Sequence, residues 1–127
     1  MRLPWFLLLL VACGSSEPQI LEFKLSSDLV WPFEELTIDL VVEDKEGELS
    51  GGTLFLVVEG AANRWDRNFL LVDQVPAEAT EAALTLGLSF GSGAATGNYS
   101  VEVAIEDGGG ARSAPAGAIV TLLSNQN

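Results

Sequence analysis

Thr96-Gly97-Asn98-Tyr99-Ser100-Val101-Glu102-Val103-Ala104-Ile105-Glu106, followed by Asp107-Gly108-Gly109-Gly110, decides the fold. Tyr99, Val101, Val103 and Ile105 alternate with Ser100, Glu102, Ala104 and Glu106. A period of two puts the first set on one face of a strand and the second on the other. The glycines behind it supply the backbone freedom of a tight turn. The run is a β-strand with one buried face, and a strand needs partners.

Working outward, the same alternation recurs. Leu36, Ile38, Leu40 and Val42 alternate with Thr37, Asp39, Val41 and Glu43. Leu21, Phe23 and Leu25 alternate with Glu22 and Lys24, and Leu84, Leu86, Leu88 and Phe90 form a further run. Thr53 to Val58 is apolar on both parities, Asp66 to Val72 ends in Phe69-Leu70-Leu71-Val72, and Ala118 to Leu123 closes the series. Turn chemistry separates them at Asp44-Lys45-Glu46-Gly47, Ser50-Gly51-Gly52 and Gly91-Ser92-Gly93. No window carries a helical stripe; Pro76 to Ala83 is long enough for one turn at most. Seven short strands with turns at this spacing predict an all-β protein, a two-sheet sandwich.

Composition narrows the function. The 127 residues are 48% hydrophobic and carry 18 Asp and Glu against 6 Lys and Arg, a net charge of −12. The apolar share is that of a folded domain. The acid excess excludes nucleic acid, whose phosphates need a basic footprint. There is no histidine and one cysteine, so the commonest general base is missing and no intrachain disulfide can close.

The chain starts Met1-Arg2, then runs apolar from Leu3 to Ala12 and stops at Cys13. That run is about half the roughly 20 residues of a membrane-spanning helix and reads as a cleaved signal peptide. Leu10-Val11-Ala12-Cys13-Gly14 resembles the lipobox of bacterial lipoproteins. The resemblance implies cleavage before Cys13 and a diacylglycerol on its sulfur, with residues 13–19 as lipidated cysteine and polar tether. Gly14, in place of the Asp of inner-membrane retention, implies the outer membrane of a bacterial envelope. Residues 20–127 form the domain.

Thr96 to Val103 with Glu106 to Ser113, and Leu36 to Asp44 with Gly47, resemble the corresponding strands and turns of bacterial immunoglobulin-like and fibronectin type III-like domains. The resemblance implies a seven-stranded immunoglobulin-like β-sandwich. It also implies that Tyr99 makes a tyrosine corner, its hydroxyl bonding back to the backbone. The cysteine pair and core Trp of antibody domains are absent. Binding, spacing and adhesion are the roles such domains offer.

Catalysis finds no support. Ser26, Ser27, Ser50 and Ser113 read as turn residues with no base to activate them. Surplus carboxylates leave glycoside hydrolysis only as a remote reading. In a sandwich of this kind, the connections after the second, fourth and sixth strands share one end. They gather Asp44, Glu46, Glu48, Asp73 and Asp107, hard oxygen ligands suited to calcium, or else a solvated acidic rim. The opposite end carries Trp31-Pro32-Phe33, Arg64, Trp65 and Arg67, residue types that anchor interfaces or, for Trp31 and Phe33, plug the end of a core. In Thr53 to Val58 either Leu54, Leu56 and Val58 or Phe55 and Val57 face away from the core. The first set joins the candidate partner surface.

The expected function is a non-enzymatic, lipid-anchored interaction module of the envelope or cell surface, needing no cofactor, holding a protein or polysaccharide partner near the membrane. The alternative is a periplasmic lipoprotein domain that binds calcium or a small ligand through the acidic end.

Overall fold

The computed structural model describes residues 17–124, so the signal peptide and Cys13 lie outside it. Eight strands follow in chain order: β1 (Gln19–Leu25), β2 (Leu29–Val30), β3 (Leu36–Glu43), β4 (Thr53–Glu59), β5 (Arg64–Leu70), β6 (Glu81–Leu88), β7 (Gly97–Glu106) and β8 (Ala116–Leu122). They form a three-stranded sheet, β1-β3-β6, and a five-stranded sheet, β2-β8-β7-β4-β5. This is an all-β immunoglobulin-like sandwich. Every pairing is antiparallel except β2 with β8, which is parallel.

The alternation read from the sequence becomes the core. Leu36, Ile38, Leu40 and Val42 of β3 face Tyr99, Val101, Val103 and Ile105 of β7, and all eight are buried. Fully burying a side chain of this size is worth about 1.5–3 kcal/mol. A one-residue slip in register would turn the apolar set of either strand to solvent, so pairing and burial fix each other. Leu84 and Leu86 of β6, and Val120 and Leu122 of β8, complete the layer between the sheets.

Three boundaries differ from the sequence expectation. The fourth strand runs Arg64–Leu70 rather than to Val72, because Leu71 turns inward: its N–H donates to Gly52 O (3.1 Å) and its side chain is buried. The fifth starts earlier, at Glu81, paired opposite Glu43. The two-residue β2 adds an eighth strand where the chain crosses between sheets, its carbonyls accepting from the β8 side (Leu123 N–H to Val30 O, 2.8 Å).

One correction concerns β4. Leu54, Leu56 and Val58 pair in register with Ile105, Val103 and Val101 of β7 and are buried with them, so they are core, not partner surface. Phe55 and Val57 take the outer face. The Arg112 guanidinium lies 4.1 Å from the centroid of the Phe55 ring, a cation–π contact that covers apolar area the sequence left unexplained.

Candidate functional site

Strand β5 continues the register of β4, with Trp65, Arg67 and Phe69 opposite Val58, Leu56 and Leu54. These three therefore have the parity of the core. The opposing sheet ends at β6, however, and the 71–80 connection supplies no strand to extend it. The inner face of β5 is left as a shelf. It opens into a groove of about 590 Å³ with Leu56 at its floor and Trp65, Arg67, Phe69, Leu88 and Phe90 along it. Both strands beside the groove, β5 and β6, are hydrogen-bonded on one side only.

The groove is held firm at one end by an aromatic cluster. The Trp65 indole stacks on the Tyr99 ring and meets Phe90 edge-on, with ring centroids 6.0 Å apart in the second pair. Phe90 and Tyr99 lie 4.8 Å apart and are both buried. The Tyr99 hydroxyl donates to the Ala95 carbonyl, the tyrosine-corner bond expected from the sequence. Asn63 Oδ1 accepts the Ala95 N–H at 3.1 Å and sits 3.2 Å from the same hydroxyl. Burial holds the Tyr99 phenol above its ordinary pKa. Gly60 permits this packing, since a Cβ there would fall 2.6 Å from the Tyr99 ring.

The distal residues named from the sequence divide. Trp65 and Arg67 line the groove. Arg64 has the opposite parity and pairs with Glu59 (3.3 Å) and Asp66 (3.2 Å) on the outer face. Trp31 and Phe33 stand at the same end but outside the lining, 48% and 71% exposed, so neither is a plug; Phe90 and Tyr99 fill that role. Phe33 has φ +67°, a left-handed conformation, and its N–H donates to Phe90 O (2.8 Å). Phe69 joins Trp65 and Arg67 through the pairing of β5 with β4, one of the two apolar sets that the fourth strand offers from sequence. Phe90 and Asn63 carry no such signal, since their place beside the groove depends on which strand is absent opposite them.

At the other end, Asp44, Glu48 and Asp107 each present a carboxylate oxygen, all within 4.8 Å of one another. Glu46 and Asp73, expected with them, do not join. Glu46 gives only its N–H, to Asp44 Oδ1 (3.1 Å), and Asp73 is exposed in the turn after β5. Asp107 Oδ1 accepts the N–H groups of Gly109 (3.0 Å) and Ala111 (2.9 Å) and so shapes the glycine turn. Gly108 N–H donates to Glu48 O (2.9 Å), tying that turn to the 44–52 connection. Asp44 and Asp107 are buried, and Oδ2 of each has no hydrogen-bond partner among the described residues. Burial, reinforced by Asp107, pushes the Asp44 carboxyl above its ordinary pKa; burial and the neighbouring carboxylates do the same to Glu48.

No family model and no curated protein matches the chain. Solved structures do. The PKD domain of an M14-like peptidase from Thermoplasmatales archaeon SCGC AB-540-F20 is similar at 13% identity and a TM-score of 0.57, over 84% of this chain and 96% of that one. Spo0M, a sporulation control protein from Bacillus subtilis, is similar at 11% identity and a TM-score of 0.52, over 86% of this chain and 50% of that one. The CARDB domain of the PF1109 protein from Pyrococcus furiosus aligns more loosely, at 12% identity and a TM-score of 0.46 over 84% of this chain and 86% of that one. At these identities the likeness speaks to the fold alone, and the fold it speaks to is the immunoglobulin-like sandwich.

Proposed function

We propose that this chain is a lipid-anchored interaction module of the bacterial envelope or surface that binds an extended segment of a partner protein in the groove between β5 and β6, without catalysis. The observation that carries the reading is the uncovered inner face of β5. Trp65 and Arg67 have core parity yet are exposed, with Phe69 half-buried beside them, along a groove between two strands with free edges. Free edges accept an added strand through backbone hydrogen bonds, and side-chain pockets beside them select its sequence. Trp and Arg are the residue types that concentrate binding energy at interfaces. The anchor rests on the lipobox-like Leu10 to Cys13, and the outer membrane on Gly14.

The test is photo-crosslinking in intact cells from a probe residue at position 69, with a control probe at Asp39 on the outer face of the other sheet. A protein adduct from position 69 and none from position 39 is the expected result. An adduct digested by glycosidases instead of proteases would make the partner a polysaccharide. Equal labelling from both positions would count against the groove. For the anchor, Cys13→Ser should abolish labelling by radioactive palmitate and release the chain from membranes. An unmodified Cys13 thiol on the membrane-bound protein would refute it.

A further inference from the structure

We propose that Asp44, Glu48 and Asp107 form a binding site for one divalent cation of the calcium class, which clamps the 44–52 connection to the 107–115 connection. The inference is independent of the groove and of any partner held there.

Acidic side chains clustered in turns ordinarily need no explanation beyond solvation. Here two of the three have left solvent. Asp44 is 0% and Asp107 4% exposed, yet each keeps a buried Oδ2 without a hydrogen-bond partner among the described residues. A buried carboxylate oxygen with no donor is costly, and like charges at this separation add to the cost. The three ligand atoms converge within 4.8 Å, a span that a cation bonding oxygens at about 2.3–2.6 Å bridges from a single central position.

The backbone is organised to hold those oxygens where they are. Asp44 and Asp107 each commit Oδ1 to turn N–H groups, Glu46 for the first, Gly109 and Ala111 for the second. That fixes the plane of each carboxylate and leaves Oδ2 free. Glu48 is the solvent-side member of the three. Gly109 makes room for it, since a Cβ at position 109 would fall 2.7 Å from Glu48 Oε1. The donor set is all oxygen, with no nitrogen or sulfur, which selects hard cations over zinc or copper. Three carboxylates leave several positions to water on the open side. That suits the larger, less demanding coordination sphere of calcium and a dissociation constant of about 10⁻⁴–10⁻³ M, the range of extracellular modules.

The test uses the full chain in detergent, stripped with chelator and then titrated with calcium chloride. With a dissociation constant near 1 mM, 10 mM calcium should raise the thermal midpoint by about 5 °C, and calorimetry should show one saturable site. Asp107→Asn retains the Oδ1 acceptor for the glycine turn and Glu48→Gln alters only the solvent-side ligand. Both should stay folded and lose most of the calcium response. The proposal is overturned if the wild-type midpoint does not move. It is equally overturned if sodium chloride at matched ionic strength moves it as far, or if both variants respond like the wild type.

Discussion

The Trp65 indole stacks on the Tyr99 ring with centroids 5.8 Å apart and planes inclined by 28°, one face of the indole against the core and the rest in the groove. At 42% exposure Trp65 is half structural and half available. Its replacement would therefore confuse folding with binding. Arg67, exposed on the same shelf, is the cleaner probe. Arg67→Ala should leave the unfolding free energy from urea melts within about 0.5 kcal/mol of wild type, as exposed substitutions do, while reducing crosslinking to the partner. Trp65→Ala should lower both. Unchanged crosslinking in folded Arg67→Ala protein would move the binding surface away from β5.

Tyr99→Phe removes the hydroxyl that donates to the Ala95 carbonyl and keeps the ring packed against Trp65 and Phe90. The expected loss is about 1 kcal/mol, seen as a lower urea midpoint at unchanged slope. An unaltered midpoint would mean that the corner bond adds nothing net.

Gly52 precedes β4, where the chain passes against the end of β7. A Cβ there would fall 2.2 Å from the Glu106 carbonyl oxygen and 3.0 Å from Asp107 Cα, both backbone atoms that cannot rotate aside. Gly52→Ala should destabilise the domain by roughly 1–3 kcal/mol and weaken calcium binding with it, because the displaced segment carries Asp107. Denaturant melts with and without calcium separate the two effects.

Phe33 reverses the usual ranking of alanine and glycine. Its φ of +67° costs an L-residue about 1–2 kcal/mol, a cost that glycine escapes and alanine keeps. Phe33→Gly should therefore be about 1 kcal/mol more stable than Phe33→Ala in thermal melts. The opposite order would show that the loop relaxes to another conformation once the ring is gone.

In the chelated protein, Asp44 sets a pH dependence of definite sign. Its folded carboxyl has a pKa above its ordinary value of 3.8, chiefly through burial, with Asp107, Glu46 and Glu48 close by. A raised acid pKa favours folding when the group is protonated. The contribution is thus complete below 3.8 and disappears as pH rises through the folded value. Asp44→Asn should flatten the fall in stability across that interval, measured by denaturant midpoints at successive pH values. A parallel curve for the variant would assign the dependence to other carboxylates.

How far the sequence led depends on whether a property belongs to one strand or to the space between strands. The alternations in Leu36–Glu43 and Gly97–Glu106 carried the core faces directly, and Tyr99 behind Gly97 carried its corner. Thr53–Glu59 is apolar on both parities, and only the register with β7 and the Arg112 cover on Phe55 decide which set is core. The groove was illegible because it arises from a missing neighbour: Trp65, Arg67 and Phe69 would be core if a strand lay opposite. The sequence places Asp44 and Asp107 at one end with Glu46, Glu48 and Asp73 but does not say which of the five converge, since nothing local tells a solvated carboxylate from one folded over by a turn 63 positions away.

The strand directions also have a mechanical meaning. β1 starts at the acidic end and β8 stops at the aromatic end, each in register with strands running the other way. A pull applied between residue 17 and residue 122 runs along the strand axes. It strains the β1–β3 and β7–β8 hydrogen bonds together, in shear, and cannot peel them one at a time.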